Sequence, residues 1–182
     1  MSKSAIEFNE EKHEYTVKGA KVPSVTKILQ ATGVIKTSFY TEEGRERGTE
    51  IHKQTEYYDD FRIIADTNYK PYIEQWAKFL DDIGAKVLSK EEMVYSELGY
   101  CGKYDRVLEI KDRKFIIDIK TGAKQKWHVL QLGAYSIPTK TEYGAVVLLS
   151  PKKYDFIPFE PMEIKLAQFE FLEVLKRYKE IT

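Results

Sequence analysis

The sequence predicts an α/β (mixed α+β) domain in which helices flank a central mixed β-sheet, and three observations lead to this fold class. Short apolar runs with the period of strands alternate with segments that have the period of helices along most of the 182 residues. Two of the apolar runs, 102–110 and 115–122, are separated only by the charged residues 111–114, which predicts an antiparallel hairpin. No linker, repeat or low-complexity run divides the chain. We therefore expect one domain over residues 1–182.

The composition excludes several classes of protein. No run of 18 apolar residues is present, so no membrane span is expected, and the N-terminus lacks the apolar core of a secretory signal. The single cysteine, Cys101, excludes a disulfide framework within the chain and a cluster held by four cysteines. These features are typical of a cytoplasmic protein. The formal net charge of +0 argues neither for nor strongly against nucleic acid. A dedicated electrostatic binder is usually basic, but an enzyme needs only a local basic track, and Lys120, Lys124 and Lys126 offer one.

Residues 1–22 precede the helices and the core (23–182) and are predicted to form a small hairpin with turns at 9–12 and 18–20. His13 falls in this hairpin as a surface residue. Ser24 is the predicted cap of a helix that begins at the next residue. Ser24 and Thr26 could instead hold a phosphate at this helix N-terminus, although capping is the favoured role.

A second helix is predicted from Glu42 through Tyr58, with Thr41 as its cap. Gly44 and Gly48 lie one turn apart and leave a bare face that can pack closely on another element. His52 lies a further turn along the same face. A lone helical histidine is more often a core residue than a metal ligand, so both roles stay open.

The remaining elements follow from the same periodicities and turn signals. They are a helix from Pro71 to Gly84, a strand over 85–96, a helix over 124–135, strands over 143–150 and 154–159, and a last helix from Pro161.

The charges on the predicted hairpin indicate a metal site. Asp118 and Lys120 share one face of their strand because side chains alternate with a period of two. A two-residue or four-residue turn places Asp105 on that same face, whereas a three-residue turn does not. The run 115–119 reads as buried on both faces, and buried carboxylates require a metal or a partner. The alternative is an ordinary set of solvated charges on the wet face of a hairpin.

The order of these elements, with Asp105, Asp118-Ile119-Lys120 and the pair Gln131 and Tyr135 along it, resembles the PD-(D/E)xK nuclease superfamily. The RecB-like and phage-type exonucleases are the most similar branch. An Asp-x-Lys string alone is weak, but five elements in the right order form a specific pattern. The resemblance implies a restriction-endonuclease-like core.

The resemblance covers residues 15 to about 150. Segments 15–19 and 22–29 look like the N-terminal signature of the phage-type members, and 44–52 is similar to their glycine-then-histidine helix. The Pro-Asp of the family is absent, since Gly102 stands three residues before the aspartate, as is usual in the RecB-like branch. The branch with an iron–sulfur cluster is excluded by the single cysteine.

The resemblance also implies roles for individual residues. His52, Asp105 and Asp118 would be metal ligands together with the Ile119 carbonyl, and Lys120 would be the catalytic lysine. The remaining assignments are an acid on the strand before the hairpin (Glu92, with the neighbouring Glu91 leaving the register open), residues that steady the site or contact DNA (Gln131 and Tyr135), and further DNA contacts (Ser24, Thr26, Arg45, Lys124 and Lys126).

The implied function is a metal-dependent deoxyribonuclease, an exonuclease of phage or DNA recombination and repair type, in the host-cell cytoplasm if phage-encoded. DNA would be its substrate, with a recombination or repair protein as a further partner. The cofactor would be Mg²⁺ or Mn²⁺, because a hard divalent ion held by carboxylates neutralises a scissile phosphate, and an imidazole ligand also suits Mn²⁺. The alternatives are a catalytically silent relative that binds DNA or a protein, and a metal-dependent hydrolase with another substrate.

Overall fold

The computed structural model describes residues 6–10, 12, 14–36 and 41–182, so His13 lies outside the described residues. The elements are β1 (Ile6–Asn9), β2 (Glu14–Val17), β3 (Ala20–Val22), α1 (Val25–Ala31), α2 (Glu42–Phe61), α3 (Lys70–Ile83), β4 (Lys86–Lys90), β5 (Met93–Ser96), β6 (Tyr100–Lys103), β7 (Arg106–Ile110), β8 (Arg113–Lys120), α4 (Trp127–Thr139), β9 (Tyr143–Leu149), β10 (Tyr154–Phe159) and α5 (Pro161–Ile181).

The main sheet has the strand order β10-β9-β8-β7-β4. Only β8 and β9 run parallel, and α4 forms the crossover between them, so the sheet is mixed. One buried cluster joins α1, α4 and α5 to one face of the sheet, and a second joins α2 and α3 to the other. The predicted fold class, a mixed α/β architecture with a central mixed sheet between helices, is therefore confirmed.

The central strand β8 is buried on both faces over Phe115–Ile119, as its sequence predicts. The strand β9 is an interior strand beside it, and β10 forms one edge of the sheet. Among the described helices, none has the length and apolar character needed to cross a membrane.

The turn between β7 and β8 consists of Lys111 and Asp112, which have φ values of 49° and 61°. Left-handed conformation at both central residues is the type I′ geometry, whose twist matches that of the flanking strands. The turn sets the pairing of Ile110 with Arg113 and, at the other end, of Arg106 with Ile117. One position further along this register, Asp105 lies opposite Asp118. The predicted even parity of the hairpin is confirmed.

Two of the predicted strands are each divided in two. The predicted strand 85–96 breaks at Glu91, which has a φ of 47°, and the first arm of the hairpin breaks between β6 and β7. The outer halves, β5 and β6, pair with each other in a separate two-stranded sheet. Glu91 N–H donates to the Asp105 carbonyl at 2.9 Å across the break. Alternation of side chains persists through such a bend, so the sequence pattern did not reveal it.

The helix caps follow the sequence closely. The Ser24 hydroxyl accepts a hydrogen bond from Lys27 N–H at 3.1 Å, and the Thr41 hydroxyl accepts one from Gly44 N–H at 3.1 Å.

The N-terminal strands β1, β2 and β3 form a three-stranded sheet, which includes the predicted hairpin. Three boundaries were wrong: α2 continues to Phe61, and α4 runs over Trp127–Thr139 rather than over 124–135.

We expect replacement of Lys111-Asp112 by Asn-Gly to raise the free energy of unfolding by about 1 kcal/mol. The reason is that Asn and Gly tolerate the left-handed conformation that costs other residues energy. Urea denaturation measures this change. Insertion of one glycine between the two residues shifts the register by one position and should destabilise the protein. A loss of stability with Asn-Gly would contradict the type I′ assignment.

Candidate active site

The pairing of β7 with β8 ends at Arg106, opposite Ile117, so the edge of β8 beyond that point is not covered by β7. At Ile119, two side chains contact the backbone groups that β7 leaves unpaired. The Asp105 carboxylate accepts the Ile119 N–H at 2.6 Å, and His52 Nε2 lies 3.0 Å from the Ile119 carbonyl oxygen. The two backbone groups of one residue therefore bring an aspartate and a histidine from distant parts of the chain to one point.

Glu91 joins His52 and Asp105 at this point. His52 Nδ1 lies 3.6 Å from Asp105 Oδ1 and 3.7 Å from Glu91 Oε1. One potential ligand atom from each of the three residues lies within 4.8 Å of the others. The Ile119 carbonyl oxygen can only accept, so its contact with His52 is a hydrogen bond when Nε2 carries the proton. With the proton on Nδ1, that N–H faces the carboxylates of Asp105 and Glu91, and the Nε2 lone pair lies beside the carbonyl oxygen as a second potential metal ligand.

The Asp118 carboxylate is 4% exposed and only half satisfied. Its Oδ1 accepts a hydrogen bond from Lys120 Nζ at 2.6 Å, whereas its buried Oδ2 has no hydrogen-bond partner among the described residues. Burial raises the pKa of Asp118 to about 6, with a further rise from Asp105, against the lowering effect of Lys120. A buried carboxylate oxygen without a partner is costly, and a bound cation would satisfy it.

Glu91 and His52 form one cluster with Asp105, and the pKa values of these two residues are shifted in opposite directions. Burial would raise the pKa of Glu91, but the nearby His52 and Lys103 outweigh it and lower the value to about 2. Burial would lower the pKa of His52, but the negative charges of Asp105 and Glu91 raise it overall. Glu91 is therefore an anion at neutral pH.

Arg106, which the sequence analysis did not single out, holds this cluster to the two helices behind it. It is fully buried (0% exposed), and its Nε donates to Asp59 Oδ2 at 2.6 Å. Its Nη1 donates to Glu91 Oε1 at 2.9 Å, and its Nη2 to Thr55 Oγ1 at 3.2 Å. Trp76 Nε1 completes the network by donating to Asp59 Oδ1 at 2.8 Å. Asp59 lies two turns after His52 on α2, a spacing that could have indicated a second polar residue on the same face.

The predicted acid before the hairpin is corrected from Glu92 to its neighbour. Glu91 has the left-handed backbone that turns its side chain toward His52, whereas Glu92 is exposed. The Glu92 carboxylate accepts a hydrogen bond from the Tyr104 hydroxyl at 3.0 Å. A single residue in an unusual conformation thus decides which of two adjacent acids faces the cluster.

Gln131 and Tyr135 lie behind the hairpin strands. The Tyr135 ring packs on Gly102, where an added Cβ would stand 2.8 Å from the ring hydroxyl, so only glycine fits. Burial raises the pKa of Tyr135, a hydrogen bond with Gln131 lowers it, and the charge of Asp105 adds to the rise. Gln131 Oε1 is buried without a hydrogen-bond partner among the described residues.

The residues predicted to contact DNA are not gathered in one place. Ser24 Oγ is engaged as a helix cap, Thr26 is exposed on α1, and Lys124 Nζ lies 5.7 Å from the centroid of the Phe159 ring. Lys126 is exposed just before α4. Arg45, in contrast, lines a cavity of about 560 Å³ beside His52 and Lys120.

Within the described residues, the glycine face of α2 does not pack closely on another element, contrary to the prediction. Gly44 and Gly48 line the same cavity, and a Cβ added at Gly48 would meet no atom of the described residues within 4 Å. His128 borders the cavity from α4, and its Nδ1 accepts the Gln125 N–H at 3.3 Å. Burial lowers the pKa of His128 to about 3, with smaller contributions from Lys120 and Lys124, so its ring is neutral.

Comparison with known proteins gives one curated relative and a set of similar structures, whereas no family model matches the chain. Mitochondrial genome maintenance exonuclease 1 from Xenopus tropicalis is 30% identical over 149 residues, which cover 63% of this chain and 42% of that protein. The chain thus matches less than half the length of this relative.

The crystal structure of LHK-Exo in complex with dAMP superposes with a TM-score of 0.54 at 11% identity, over 87% of this chain and 88% of that one. The alkaline exonuclease LHK-Exo from Laribacter hongkongensis, in another crystal structure, gives a TM-score of 0.45 at 13% identity, over 86% and 79% of the two chains. The first of these comparisons shows that the chain shares the fold of LHK-Exo.

We expect Arg106→Met to lower the free energy of unfolding by about 3–5 kcal/mol, because it leaves the buried Asp59 carboxylate without its cation and removes one of the two cations paired with Glu91, which keeps Lys103. Urea denaturation gives the change. The double variant Arg106→Met/Asp59→Leu should recover part of the loss, since it removes the carboxylate left without its cation. Arg113→Met, at an exposed arginine on the neighbouring strand, is the matched control and should change stability little. Equal stability of Arg106→Met and the wild type would contradict the structural role of Arg106.

Proposed function

We propose that the chain is a metal-dependent deoxyribonuclease that hydrolyses DNA phosphodiester bonds from a strand end. The observation that supports this most strongly is the junction at Ile119, where His52 and Asp105 meet Glu91. The half-satisfied carboxylate of Asp118 and its lysine partner belong to the same face of the hairpin. Carboxylates, an imidazole and a lysine are the groups that metal-assisted phosphodiester hydrolysis requires.

The donor set fits a divalent cation. The proposed ligands are His52, Asp105, Asp118 and the Ile119 carbonyl. Glu91 is added to them because potential ligand atoms of His52, Glu91 and Asp105 lie within 4.8 Å of one another. Oxygen ligands with one imidazole suit Mg²⁺ or Mn²⁺. When bound, such an ion would offset the charge of the scissile phosphate and lower the pKa of a water molecule.

Lys120 is proposed as the residue that stabilises the charge developing on the phosphate. Its ammonium group has no lone pair, so it cannot be a metal ligand. The hydrogen bond to Asp118 holds it beside the cluster, where it can meet a phosphate oxygen or orient a water molecule. Gln131 and Tyr135 are proposed to keep the hairpin strands in position from behind. Further DNA contacts are proposed for the polar and basic residues near the cluster, namely Ser24, Thr26, Arg45, Lys124 and Lys126.

The exonuclease assignment is supported by the comparisons. The curated relative is named as an exonuclease, and LHK-Exo was crystallised with dAMP, a nucleotide. We further propose an exonuclease of phage or DNA recombination and repair type, with a recombination or repair protein as its partner. Release of nucleotides from labelled linear DNA, with a closed circle of the same sequence as the control, tests exonuclease action.

Cleavage should require Mg²⁺ or Mn²⁺ and be lost in excess chelator. Ca²⁺ should not support it, because its larger and looser coordination holds water and phosphate less well for attack. A release assay on end-labelled DNA with each metal, and with chelator followed by added Mn²⁺, measures this dependence. Full cleavage in excess chelator would rule out a metal mechanism.

Asp118→Ala and Lys120→Ala should have different effects. Asp118→Ala removes a proposed ligand, so both Mn²⁺ affinity and cleavage should fall. Lys120→Ala should still bind Mn²⁺ and DNA while single-turnover cleavage falls by roughly 10²–10³, the usual loss for one charge-stabilising donor. Gln131→Ala should be milder than either.

Calorimetric Mn²⁺ titration and single-turnover cleavage on the same variants measure both properties. Lys114→Ala, at the exposed opposite end of β8, is the matched control and should behave as the wild type. If Lys120→Ala cleaved at the wild-type rate, the catalytic assignment of this lysine would be wrong.

A further inference from the structure

The cavity beside the cluster continues the candidate active site toward the N-terminal half of α2. Its volume is about 560 Å³, and it is bordered by His52, Ile119 and Lys120 on one side. The loop after β8 and the start of α4 form another wall, and α2 forms the floor. A ligand in this cavity would therefore be in contact with the proposed catalytic residues.

The cavity is strongly basic although the chain as a whole has a formal net charge of +0. Lys36, Arg45 and Arg47 line it together with Lys120, and no acidic side chain is among the described lining residues. Arg47 Nε is buried and has no hydrogen-bond partner within the described part of the chain. A buried cationic donor without a partner is costly, so this group indicates an anionic ligand.

The cavity also has an aromatic wall. Trp127 lines it, with Lys120 Nζ 5.6 Å from the centroid of the ring system and the His128 ring against it at 4.3 Å. The indole is only partly buried. A tryptophan beside a row of cations is the combination that binds single-stranded nucleic acid, because bases stack on the ring while the cations follow the backbone.

The floor of the cavity is bare because α2 has glycines there. A glycine inside a helix costs about 1 kcal/mol relative to alanine. Close packing against residues 6–10, 12, 14–36 and 41–182 does not explain Gly48, since a Cβ added at this position would meet none of their atoms within 4 Å. The glycine instead keeps space open one turn before His52.

We infer that this cavity binds an unpaired nucleotide adjacent to the scissile bond, and therefore that the substrate is a single-stranded DNA end. The inference rests on the proposed function, because it identifies the ligand of the cavity as the strand being cut. Pockets of about 300–1,000 Å³ bury ligands of nucleotide size. A base within a duplex must first leave its stack to enter such a pocket, and this costs least when the base is already unpaired. Arg45 and Arg47 contact the phosphates, and Trp127 stacks on the base.

Fluorescence anisotropy in excess chelator tests binding apart from cleavage, with a labelled single-stranded oligonucleotide and the blunt duplex of the same sequence. The wild type should bind the single strand more tightly. Trp127→Ala should weaken single-strand binding roughly 5- to 150-fold, the equivalent of ~1–3 kcal/mol for one stacked base. Phe169→Ala, at an aromatic ring exposed on α5, is the matched control and should have no effect.

The salt dependence of binding tests the arginines. The slope of log K against log salt concentration should fall in magnitude by about 0.7 for Arg45→Gln and again for Arg47→Gln, the contribution of one phosphate contact on a single strand. Arg113→Gln, at the turn end of β8, should leave the slope unchanged. Unchanged slopes for both Arg45→Gln and Arg47→Gln would show that these two arginines do not contact the phosphates.

Substitutions of increasing size at Gly48 provide variants that should remain folded while they fill the cavity. Alanine and methionine form helices better than glycine, so Gly48→Ala and Gly48→Met should melt at a higher temperature than the wild type. The loss of single-strand binding should grow with the size of the side chain that enters the cavity, from Ala to Met. Folded Gly48→Met and Trp127→Ala proteins that bind single strands as the wild type does would overturn the inference.

Different experimental outcomes contradict nuclease activity and single-strand binding in the cavity. Binding that responds to these variants without any Mg²⁺-dependent or Mn²⁺-dependent cleavage contradicts the nuclease proposal and leaves a single-strand binding site. Metal-dependent cleavage with equal affinity for duplex and single strand, or with binding indifferent to Trp127→Ala and Gly48→Met, contradicts the inference and leaves the nuclease.

Discussion

The two hydrogen bonds at the Ile119 peptide are the interaction on which the candidate site depends. The N–H of this residue holds Asp105 at 2.6 Å, and its carbonyl oxygen holds His52 at 3.0 Å. Both bonds exist because β7 begins only at Arg106 and leaves that edge of β8 open to side chains. The turn at Lys111 and Asp112 fixes the register, so it also determines which residues reach the opening. A change of one residue in that turn would bring different side chains to Ile119.

Charge is divided between two neighbouring regions. In and behind the site, the carboxylates of Asp59, Glu91 and Asp118 pair with Lys103, Arg106 and Lys120, and the Asp105 carboxylate lies beside His52. The oxygen of Asp118 that has no partner among the described residues favours a divalent cation. The adjoining cavity has basic residues and no acid among its described lining residues. One region is thus suited to a metal ion and the other to the phosphates of a strand.

The sequence predicted those features that follow from local rules. The caps at Ser24 and Thr41 and the parity of the hairpin depend only on nearby residues, and they were found correctly. The split strands and the choice of Glu91 over Glu92 depend on one left-handed residue, which side-chain alternation does not reveal. The role of Arg106 was missed because an arginine in an alternating strand resembles a solvated one. The open floor at Gly48 is a tertiary feature, and glycine spacing alone suggested close packing instead.

Anomalous diffraction from crystals grown with Mn²⁺ tests the central claim, a metal centre at the Ile119 junction, most directly. The expected result is a strong anomalous peak at the manganese edge within bonding distance, about 2.0–2.2 Å, of His52, Asp105 and Asp118, where Mg²⁺-like ions bind oxygen and nitrogen ligands. Crystals of Asp118→Ala grown under the same conditions should show a weakened or absent peak. A wild-type map with no peak at this junction, in a protein that cleaves DNA in Mn²⁺, would contradict the assignment of these residues as the metal centre.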